Sequence, residues 1–267
     1  MEVVGMFWNK NEGDILEQTL TDALNYIDCL YIADDGSQDK SWDIIQSFKN
    51  HPNVAHIQQK PDTNDPAQRQ SLLDLIRSRH KPEDTWVQII ESDMFLLDTN
   101  PREAINKHAD SHQLAVTWQV LNGVREKNTW AGNDEYPNWT KPIKEVLPFA
   151  HRMEAMCYTF RPLPKLYYMP GRWRPWPNGW SYYSGDPVEN TKKMPDSPLL
   201  FHVGYRGPTH FFLKYGFMGT RHKRYPSWKL ESPEIVEQTV SFFNGEWNSD
   251  LMDANRRGWR EWLVRRT

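Results

Sequence analysis

The chain has 267 residues, of which 38% are hydrophobic and 25% are charged, and its formal net charge is −3. This length suits one large domain or a domain with an appendage, and a charge balance this close to neutral argues against a nucleic-acid-binding protein. No apolar run approaches the ~20 residues that a membrane-spanning helix needs. The N-terminus lacks the basic region of a signal peptide, and the two cysteines form no disulfide framework. We therefore expect a cytoplasmic protein with free thiols.

The first hundred residues alternate between apolar runs typical of buried strands and segments with helical spacing. Strands are predicted at 2–8, 29–33, 54–57 and 86–90. Helices are predicted from the capping residue Asp14 onwards, over Ser41 to Phe48, and from Pro66 to about Arg79. This alternation predicts an α/β fold in which helices cover both faces of a mostly parallel sheet.

The pattern changes after residue 100. A helix is predicted at 101–108, and strands are predicted at 114–121, 155–160, 165–168 and 199–203. Between 122 and 186 the sequence is rich in Trp, Tyr, Pro and Gly, and a loop-rich stretch of this length is more often functional than idle. Helices are predicted from 233 to the C-terminus. The arginines there either contact anionic lipid headgroups at a membrane surface, contact an acidic product, or stabilise a solvated helix end, which is the commoner role.

Acidic residues follow two of the predicted strands. Asp34 and Asp35 end the run at 30–33, and Glu91-Ser92-Asp93 ends the run at 87–90. In an open α/β sheet, ligands bind in the crevice outside the carboxyl ends of the strands. Clustered carboxylates there suit Mg²⁺ or Mn²⁺, and such a cation suits a diphosphate. Two plainer explanations stay open, because Asp-Gly-Ser is ordinary turn chemistry and polar residues commonly end strands.

Other residues could contribute to such a site. His202 can complete a metal shell as a neutral imidazole, Arg206 can bind a phosphate, and Arg69 could reach a phosphate or a base. For each of them a structural role or a solvated position is the common alternative. Several tryptophans could form a sugar-stacking wall, although most are expected to be core residues or loop anchors. They are Trp118, Trp130, Trp139, Trp173, Trp176 and Trp180.

Together these motifs resemble those of a family 2 glycosyltransferase with the GT-A fold. The matching segments are Asn11-Glu12 after the first strand, Asp34 to Asp39 after the second, and Glu91-Ser92-Asp93 in the place of the Asp-x-Asp motif. The segment Phe201 to Gly207, with Lys214 downstream, is similar to the His-containing loop of some relatives. The resemblance implies a Rossmann-like mixed, mostly parallel sheet flanked by helices, with a loop-rich acceptor region and a C-terminal helical tail.

The resemblance also implies site residues. Those implied for nucleotide binding are Phe7, Asn9, Glu12, Asp34, Asp35, Arg69, Glu91, Ser92, Arg206 and Lys214. Within this set, Asp34 would contact the base, Glu91 the ribose or a bound water, and Arg69 the base or a phosphate. Asp93 would be the principal ligand of Mn²⁺ or Mg²⁺, and His202 a further ligand.

Family 2 enzymes act by direct displacement with inversion, which the resemblance implies here as well. A carboxylate base would deprotonate the acceptor hydroxyl, and the metal would stabilise charge on the leaving diphosphate. The family's usual acidic pair is absent as a clean motif. Glu154 is the candidate base because it precedes a strand-like run, and an ion pair with Arg152 or Arg161 is the competing explanation.

The resemblance implies a catalytic domain at 1–225, with a nucleotide-binding half at 1–100 and an acceptor-side half at 101–225, followed by a helical extension at 226–267. The partners would be a nucleoside diphosphate sugar, with a UDP-sugar favoured, and a glycan or other hydroxyl acceptor.

Two other functions stay open. A nucleotidyltransferase could form nucleotide sugars, although no Gly-rich phosphate loop follows the first strand. A non-catalytic carbohydrate-binding protein would leave the acids at 91–93 without a role.

Overall fold

Strands and helices alternate through the first half of the chain, as the sequence predicts. The computed structural model describes residues 1–60, 65–96, 99–108, 115–124, 149–163 and 198–203. The strands in these ranges are β1 (Glu2–Asn9), β2 (Cys29–Asp34), β3 (Val54–Gln59), β4 (Thr85–Glu91), β5 (Met94–Leu96), β6 (Ala115–Val124), β7 (Phe149–Phe160) and β8 (Leu199–His202). The helices are α1 (Leu16–Ala23), α2 (Ser41–Ser47), α3 (Asp65–Arg79) and α4 (Pro101–His108).

The strands form one mixed sheet in the order β3-β2-β1-β4-β7-β6-β8-β5. β1 pairs in parallel with both β2 and β4, β2 pairs in parallel with β3, and β4 pairs in antiparallel with β7. This confirms the predicted α/β class with a mixed, mostly parallel sheet flanked by helices. The chain moves from β1 outwards to β2 and β3 and then returns to the other side of β1. The strand order therefore reverses at β1, which is where open α/β sheets place their ligand crevice.

Several element boundaries differ from the prediction. Asp14 does not cap the first helix, because α1 begins at Leu16 with Ile15 in the N-cap position. The backbone N–H groups of Ile15 and Leu16 both donate to the Glu12 carbonyl, at 3.0 and 2.9 Å, so a turn precedes the helix. β7 begins at Phe149, six residues before the predicted start at 155, and β5 was not predicted.

The chain divides into two compact units. One consists of Met1–Val120 and Glu154–Leu200, and the other of Leu121–Met153 and Phe201–Thr267. The predicted strand at 165–168, the domain boundary at 225 and the C-terminal helices lie outside the described residues. None of the helices within the described ranges is both long and apolar enough to cross a bilayer.

Helix α3 is tied to the sheet at its C-terminal end. The His80 ring lies 2.8 Å from the Tyr31 hydroxyl through Nε2 and 2.8 Å from Glu2 Oε2 through Nδ1. Arg77 donates to the carbonyl oxygens of Pro162 and Leu163, just after β7. These bonds fix the C-terminal end of α3 beside the first residues of β1 and β2. The first turns of a helix held in this way lie near the carboxyl ends of the same parallel strands.

Gly5 allows close packing in the middle of β1, and we expect Gly5→Ala to destabilise the fold. An added Cβ would lie 2.7 Å from the terminal methyl groups of both Ile27 and Leu30. Overpacking of this kind forces core side chains out of their preferred rotamers, so we expect a loss of about 1–2 kcal/mol in the free energy of unfolding, measured by urea denaturation. Glu17→Ala on the exposed side of α1 is the control. Equal stability of the two variants would contradict this account of the packing.

Candidate functional site

The carboxyl ends of β2, β1 and β4 lie side by side. Asn9 at the end of β1 is in register with Asp34 at the end of β2, and Trp8 is in register with Glu91 at the end of β4. Neighbouring strands are about 4.8 Å apart, so the backbones of the two acidic strand ends are separated by roughly 10 Å. The structure thus brings the acids after β2 and the acids after β4 to one edge of the sheet.

The acids at this edge are divided between the two faces of the sheet. Residues in register on neighbouring strands point to the same face, and successive residues alternate between faces. Asn9 and Asp34 therefore share one face, whereas Trp8 and Glu91 share the other. The face that a residue occupies decides which groups it can contact, and the contacts of Asp34 and Glu91 differ accordingly.

Every residue from 9 to 13 hydrogen-bonds to the segment 34–41, and we call this set of contacts the loop clasp. The donor and acceptor pairs are Asn9 Nδ2 to Ser37 Oγ (3.1 Å), Lys10 Nζ to Asp35 O, Asn11 N to Ser37 Oγ (2.8 Å), Glu12 N to Ser41 Oγ (3.0 Å) and Gly13 N to Asp39 Oδ2 (2.9 Å). Two bonds run in the opposite direction, from the backbone N–H of Gln38 to Asn11 Oδ1 at 2.8 Å and from the backbone N–H of Asp35 to the Asn9 carbonyl at 3.0 Å. The loops after β1 and β2 are therefore held as a unit.

The loop clasp depends on two residues with left-handed backbone conformation and on a glycine at which the two loops approach each other closely. Asn11 and Gly36 have φ values of 52° and 66°, in the left-handed region that Asn and Gly tolerate best. A Cβ on Gly13 would lie 2.9 Å from Asp39 Oδ2, so a side chain at that position would push the two loops apart. The sequence Asn11-Glu12-Gly13 thus supplies both a left-handed residue and a residue without a side chain.

Asp34 is the centre of the loop clasp. Its Oδ1 accepts hydrogen bonds from Asn9 Nδ2 at 2.7 Å and from Ser37 Oγ at 2.6 Å. Its Oδ2 accepts from the Ser37 backbone N–H and from Gln59 Nε2, both at 2.9 Å. A carboxylate has about four acceptor sites, and Asp34, like Asp35, is 0% exposed. A ligand could therefore bond directly to Asp34 only by displacing one of these partners.

Asp35 points to a different set of partners. Its Oδ1 accepts a hydrogen bond from Gln68 Nε2, on α3, at 2.9 Å. Lys10 Nζ lies 3.7 Å from its Oδ2 and also donates to its carbonyl oxygen. Its backbone N–H donates to the Asn9 carbonyl at 3.0 Å. Both the backbone and the carboxylate of Asp35 are consequently held in place, beside the first turns of α3.

Arg69 joins α3 to the end of β4. Its guanidinium Nη2 lies 3.3 Å from Glu91 Oε1, and its central carbon lies 5.3 Å from the centre of the Trp8 ring. The arginine is only 2% exposed. A buried guanidinium needs a carboxylate or an aromatic face to offset its desolvation, and Arg69 has both. The acid in the place of the first Asp of the motif is thus an ion-pair partner of Arg69.

Asp93 lies in the turn between β4 and β5 and is 1% exposed. The Thr19 hydroxyl, on α1, donates to the Ser92 carbonyl at 2.6 Å and fixes this turn. Among the residues that the structure describes, no three His, Cys, Asp or Glu side chains are grouped closely enough to hold a metal ion.

The remaining predicted site residues fall into three groups. Phe7 and Glu12 are buried at and just after the end of β1. His202 is buried at the end of β8 and belongs to the second unit, and Glu154 lies within β7. Arg206, Lys214 and the side chain of Glu154 lie outside the described part of the chain. The roles assigned to all of these residues stay predictions.

One tryptophan of the proposed sugar-stacking wall can be placed. Trp118, in β6, is 0% exposed and donates its indole N–H to Thr159 Oγ1 at 2.7 Å. It is a core residue, as expected for most members of this group. The other five lie outside the described residues.

Three polar or aromatic residues at this edge were not predicted as site residues: Trp8, Lys10 and Gln68. Trp8 and Lys10 flank the last residue of β1, so the rule that ligands gather at strand ends could have found them. Gln68 precedes Arg69 on α3 and is buried. No local sequence signal separates it from a solvated helix residue, because its partner Asp35 is distant in sequence.

Comparison with known proteins gives a family match. The family described as Glycosyl transferase family 2 matches residues 8–161, which is more than half of the chain and includes every described acid at this edge. A search of curated proteins finds no match.

Solved structures similar to this chain include two of S. aureus TarS and one of a mannosyltransferase from Pyrobaculum calidifontis. The TarS complex with UDP-GlcNAc is 10% identical, covers 96% of this chain and 70% of its own, and has a TM-score of 0.44. The TarS complex with UDP is 16% identical, and the match covers 48% of this chain and 37% of the TarS chain, with a TM-score of 0.32. Mannosyltransferase PcManGT from Pyrobaculum calidifontis, in complex with GDP-Man and Mn²⁺, is 14% identical. The match covers 96% of this chain and 73% of the mannosyltransferase, with a TM-score of 0.44. These structures are too distant to inform on substrate or metal.

We expect Asp34→Asn to destabilise the protein strongly. The Asp34 carboxylate accepts hydrogen bonds from four donors, and an amide would direct its own NH₂ group towards two of them. Those buried donors would then be unpaired, which lowers the free energy of unfolding by about 3 kcal/mol. Urea unfolding measures the change, with Asp43→Asn on the exposed side of α2 as the matched control. A loss no larger than that of the control would mean that the Asp34 contacts do not hold the loop clasp.

Proposed function

The chain belongs to glycosyl transferase family 2, and we propose that it transfers a sugar from a nucleoside diphosphate sugar, with a UDP-sugar favoured, to a hydroxyl group of a glycan or other acceptor. The transfer depends on Mn²⁺ or Mg²⁺ and inverts the configuration at the anomeric carbon. One observation carries the proposal: acids from two parallel strands meet at the switch point of the sheet, within the segment that matches the family.

The contacts favour Asp35 over Asp34 as the residue that meets the nucleotide base. Asp34 already accepts four hydrogen bonds, from Asn9, Ser37 and Gln59. Asp35 lies one residue further on, where the chain has left β2, and faces the first turns of α3 through Gln68. A carboxylate in this position can accept a hydrogen bond from a base N–H. We assign the base contact to Asp35 and the loop-holding role to Asp34.

The donor set at the end of β4 fits a divalent cation that arrives with a diphosphate. Mg²⁺ usually keeps several waters and is bound by one or two carboxylates together with substrate phosphates. Asp93 is the carboxylate that we assign to it. Glu91 is paired with Arg69 at 3.3 Å, so its direct coordination is less favoured. When bound, the cation would stabilise the negative charge that develops on the leaving diphosphate.

Arg69, Trp8 and Glu91 form the wall of the site next to α3. Trp8 presents an indole ring to the guanidinium of Arg69, and the indole nitrogen is buried with no partner among the described residues. A buried indole N–H usually finds a hydrogen-bond partner, so this donor and the guanidinium suit the oxygens of a bound ligand. The Glu91 carboxylate keeps Arg69 oriented towards the same edge.

The general base, the further metal ligand and the remaining diphosphate contacts are assigned to residues later in the chain. Glu154 is the candidate general base, and deprotonation of the acceptor hydroxyl needs it within hydrogen-bond distance of that hydroxyl. His202 is the candidate further metal ligand, and Arg206 and Lys214 are candidates for contacting the diphosphate. The segment 101–225 is the proposed acceptor-side half of the catalytic domain, and 226–267 a helical extension.

We expect the chain to bind UDP more tightly in the presence of Mn²⁺ than in its absence. Titration calorimetry with UDP, GDP and dTDP, each with and without Mn²⁺, measures this directly. A donor site built from acids needs the cation to offset repulsion between its carboxylates and the diphosphate. Failure to bind any of the three nucleotides under either condition would rule out the proposed function, and sugar binding alone would favour a carbohydrate-binding protein.

Asp93→Asn should remove the dependence of UDP affinity on Mn²⁺. The substitution keeps the shape of the side chain but removes the charge that holds the cation, whereas the same change at the exposed Asp43 should leave the dependence intact. The unfolding transition of each variant, followed by circular dichroism, shows whether the fold survives. If Asp93→Asn bound UDP with the full effect of Mn²⁺, the metal would have to be held elsewhere.

A further inference from the structure

Gln68 is a buried amide that donates to the Asp35 carboxylate, to which we assign the base contact, and to the backbone just after β3. Its side chain is 1% exposed. Nε2 donates to Asp35 Oδ1 at 2.9 Å and to the Lys60 carbonyl oxygen at 2.7 Å. A side-chain amide carries two N–H donors, so both are used. Gln68 therefore connects α3 to the residue after β3 and to the carboxylate after β2.

Lys10 also contacts Asp35, together with the turn that follows it. Its Nζ donates to the carbonyl oxygens of Asp35 and Gly36, and the second of these contacts is 3.4 Å long. The ammonium also lies 3.7 Å from Asp35 Oδ2. Gly36 adopts a left-handed conformation with φ of 66°, so the chain turns sharply at this point. Lys10 thus fixes the backbone at the turn, and its charge lies beside the carboxylate that Gln68 orients.

Neither residue is needed to join the two loops. Asn9, Asn11, Glu12 and Gly13 already bond to the loop after β2 without Lys10 or Gln68. Within the part of the chain that the structure describes, Lys10 and Gln68 each combine a contact to the Asp35 carboxylate with a contact to a backbone carbonyl nearby. Their shared effect is to restrict the Asp35 carboxylate to one orientation.

We propose that Gln68 and Lys10 are positioning residues that orient Asp35 as an acceptor for a base N–H and so make the site select uracil over cytosine. This inference rests on the proposed function and on the assignment of Asp35 to the base. Uracil carries a hydrogen on N3, whereas cytosine presents a lone pair at N3. An ionised carboxylate can only accept, so a fixed Asp35 bonds to uracil and repels cytosine. A carboxylate free to rotate could turn to accept a hydrogen bond from the exocyclic amine of cytosine and would discriminate less.

Fixed polar groups discriminate between two ligands more strongly than mobile ones do. A mismatched ligand leaves a fixed group without a hydrogen-bond partner when water is excluded from the site. Preorganisation adds to this by removing the entropic cost of ordering the carboxylate when the ligand binds. Loss of either positioning residue should therefore weaken UDP binding more than CDP binding. A purely structural role would weaken both equally, because the two nucleotides share the ribose and the diphosphate.

The test is the ratio of the CDP and UDP dissociation constants, measured by calorimetry on the full chain with Mn²⁺. The variants are Gln68→Met and Lys10→Met, each close in length to the original side chain but without its hydrogen-bond donors. Gln70→Met, on the same helix with an exposed bond to Asp74, is the matched control. We expect the wild type to bind UDP at least about tenfold more tightly than CDP, as one hydrogen bond to a charged group allows. Each of the two variants should reduce this ratio about fivefold, and Gln70→Met should retain it.

Several outcomes would overturn the inference. An unchanged ratio in both variants, even with weaker binding overall, would show that the two residues only support the fold. A wild type that binds both nucleotides equally well would also overturn it, while leaving the proposed function standing. A wild type that binds neither nucleotide, nor GDP or dTDP, would remove both. If Gln68→Met does not fold, the ratio of Lys10→Met decides the matter alone.

Discussion

The loop clasp is the constraint on which the rest of the site depends, and Asp34 is at its centre. Four donors from the ends of β1 and β3 and from the loop after β2 converge on one fully buried carboxylate. Hydrogen bonds to a charged acceptor are stronger than neutral ones, and the low polarity of the interior makes an unpaired donor costly. The loops after β1 and β2 must therefore adopt one joint conformation. This conformation fixes the positions of the other residues in the two loops.

This constraint separates acids that look equivalent in the sequence. Asp34 lies on one face of the sheet and is used within the loop clasp, whereas Asp35 follows the end of β2 and meets α3. Glu91 shares the other face with Trp8 and is paired with Arg69, while Asp93 lies beyond the strand end in the turn before β5. The alternation of side chains along a strand produces this division. In our proposal, loop support, base contact, arginine pairing and cation binding belong to four different carboxylates.

The strands and helices of the first half could be predicted because apolar runs and helical spacing are local signals, and helix α4 spans Pro101–His108 as expected. β5 was missed because three residues are too few to show a period. The convergence of the acidic strand ends was also predictable, since parallel strands end at one edge. The partners of those acids were not. The contacts of Asp34 with Asn9 and of Asp35 with Gln68 join residues 25 and 33 positions apart, and no local pattern records such pairs.

We propose that acids from β2 and β4 together receive a nucleoside diphosphate and its cation at the switch point of the sheet. A crystal structure of the chain with UDP and Mn²⁺ would locate both, because anomalous scattering identifies the manganese and electron density shows the base. We expect manganese bound to the Asp93 carboxylate and to diphosphate oxygens, with the uracil N3 within hydrogen-bond distance of Asp35. Nucleotide or manganese bound away from these strand ends, with Asp35 and Asp93 contacting neither, would contradict it.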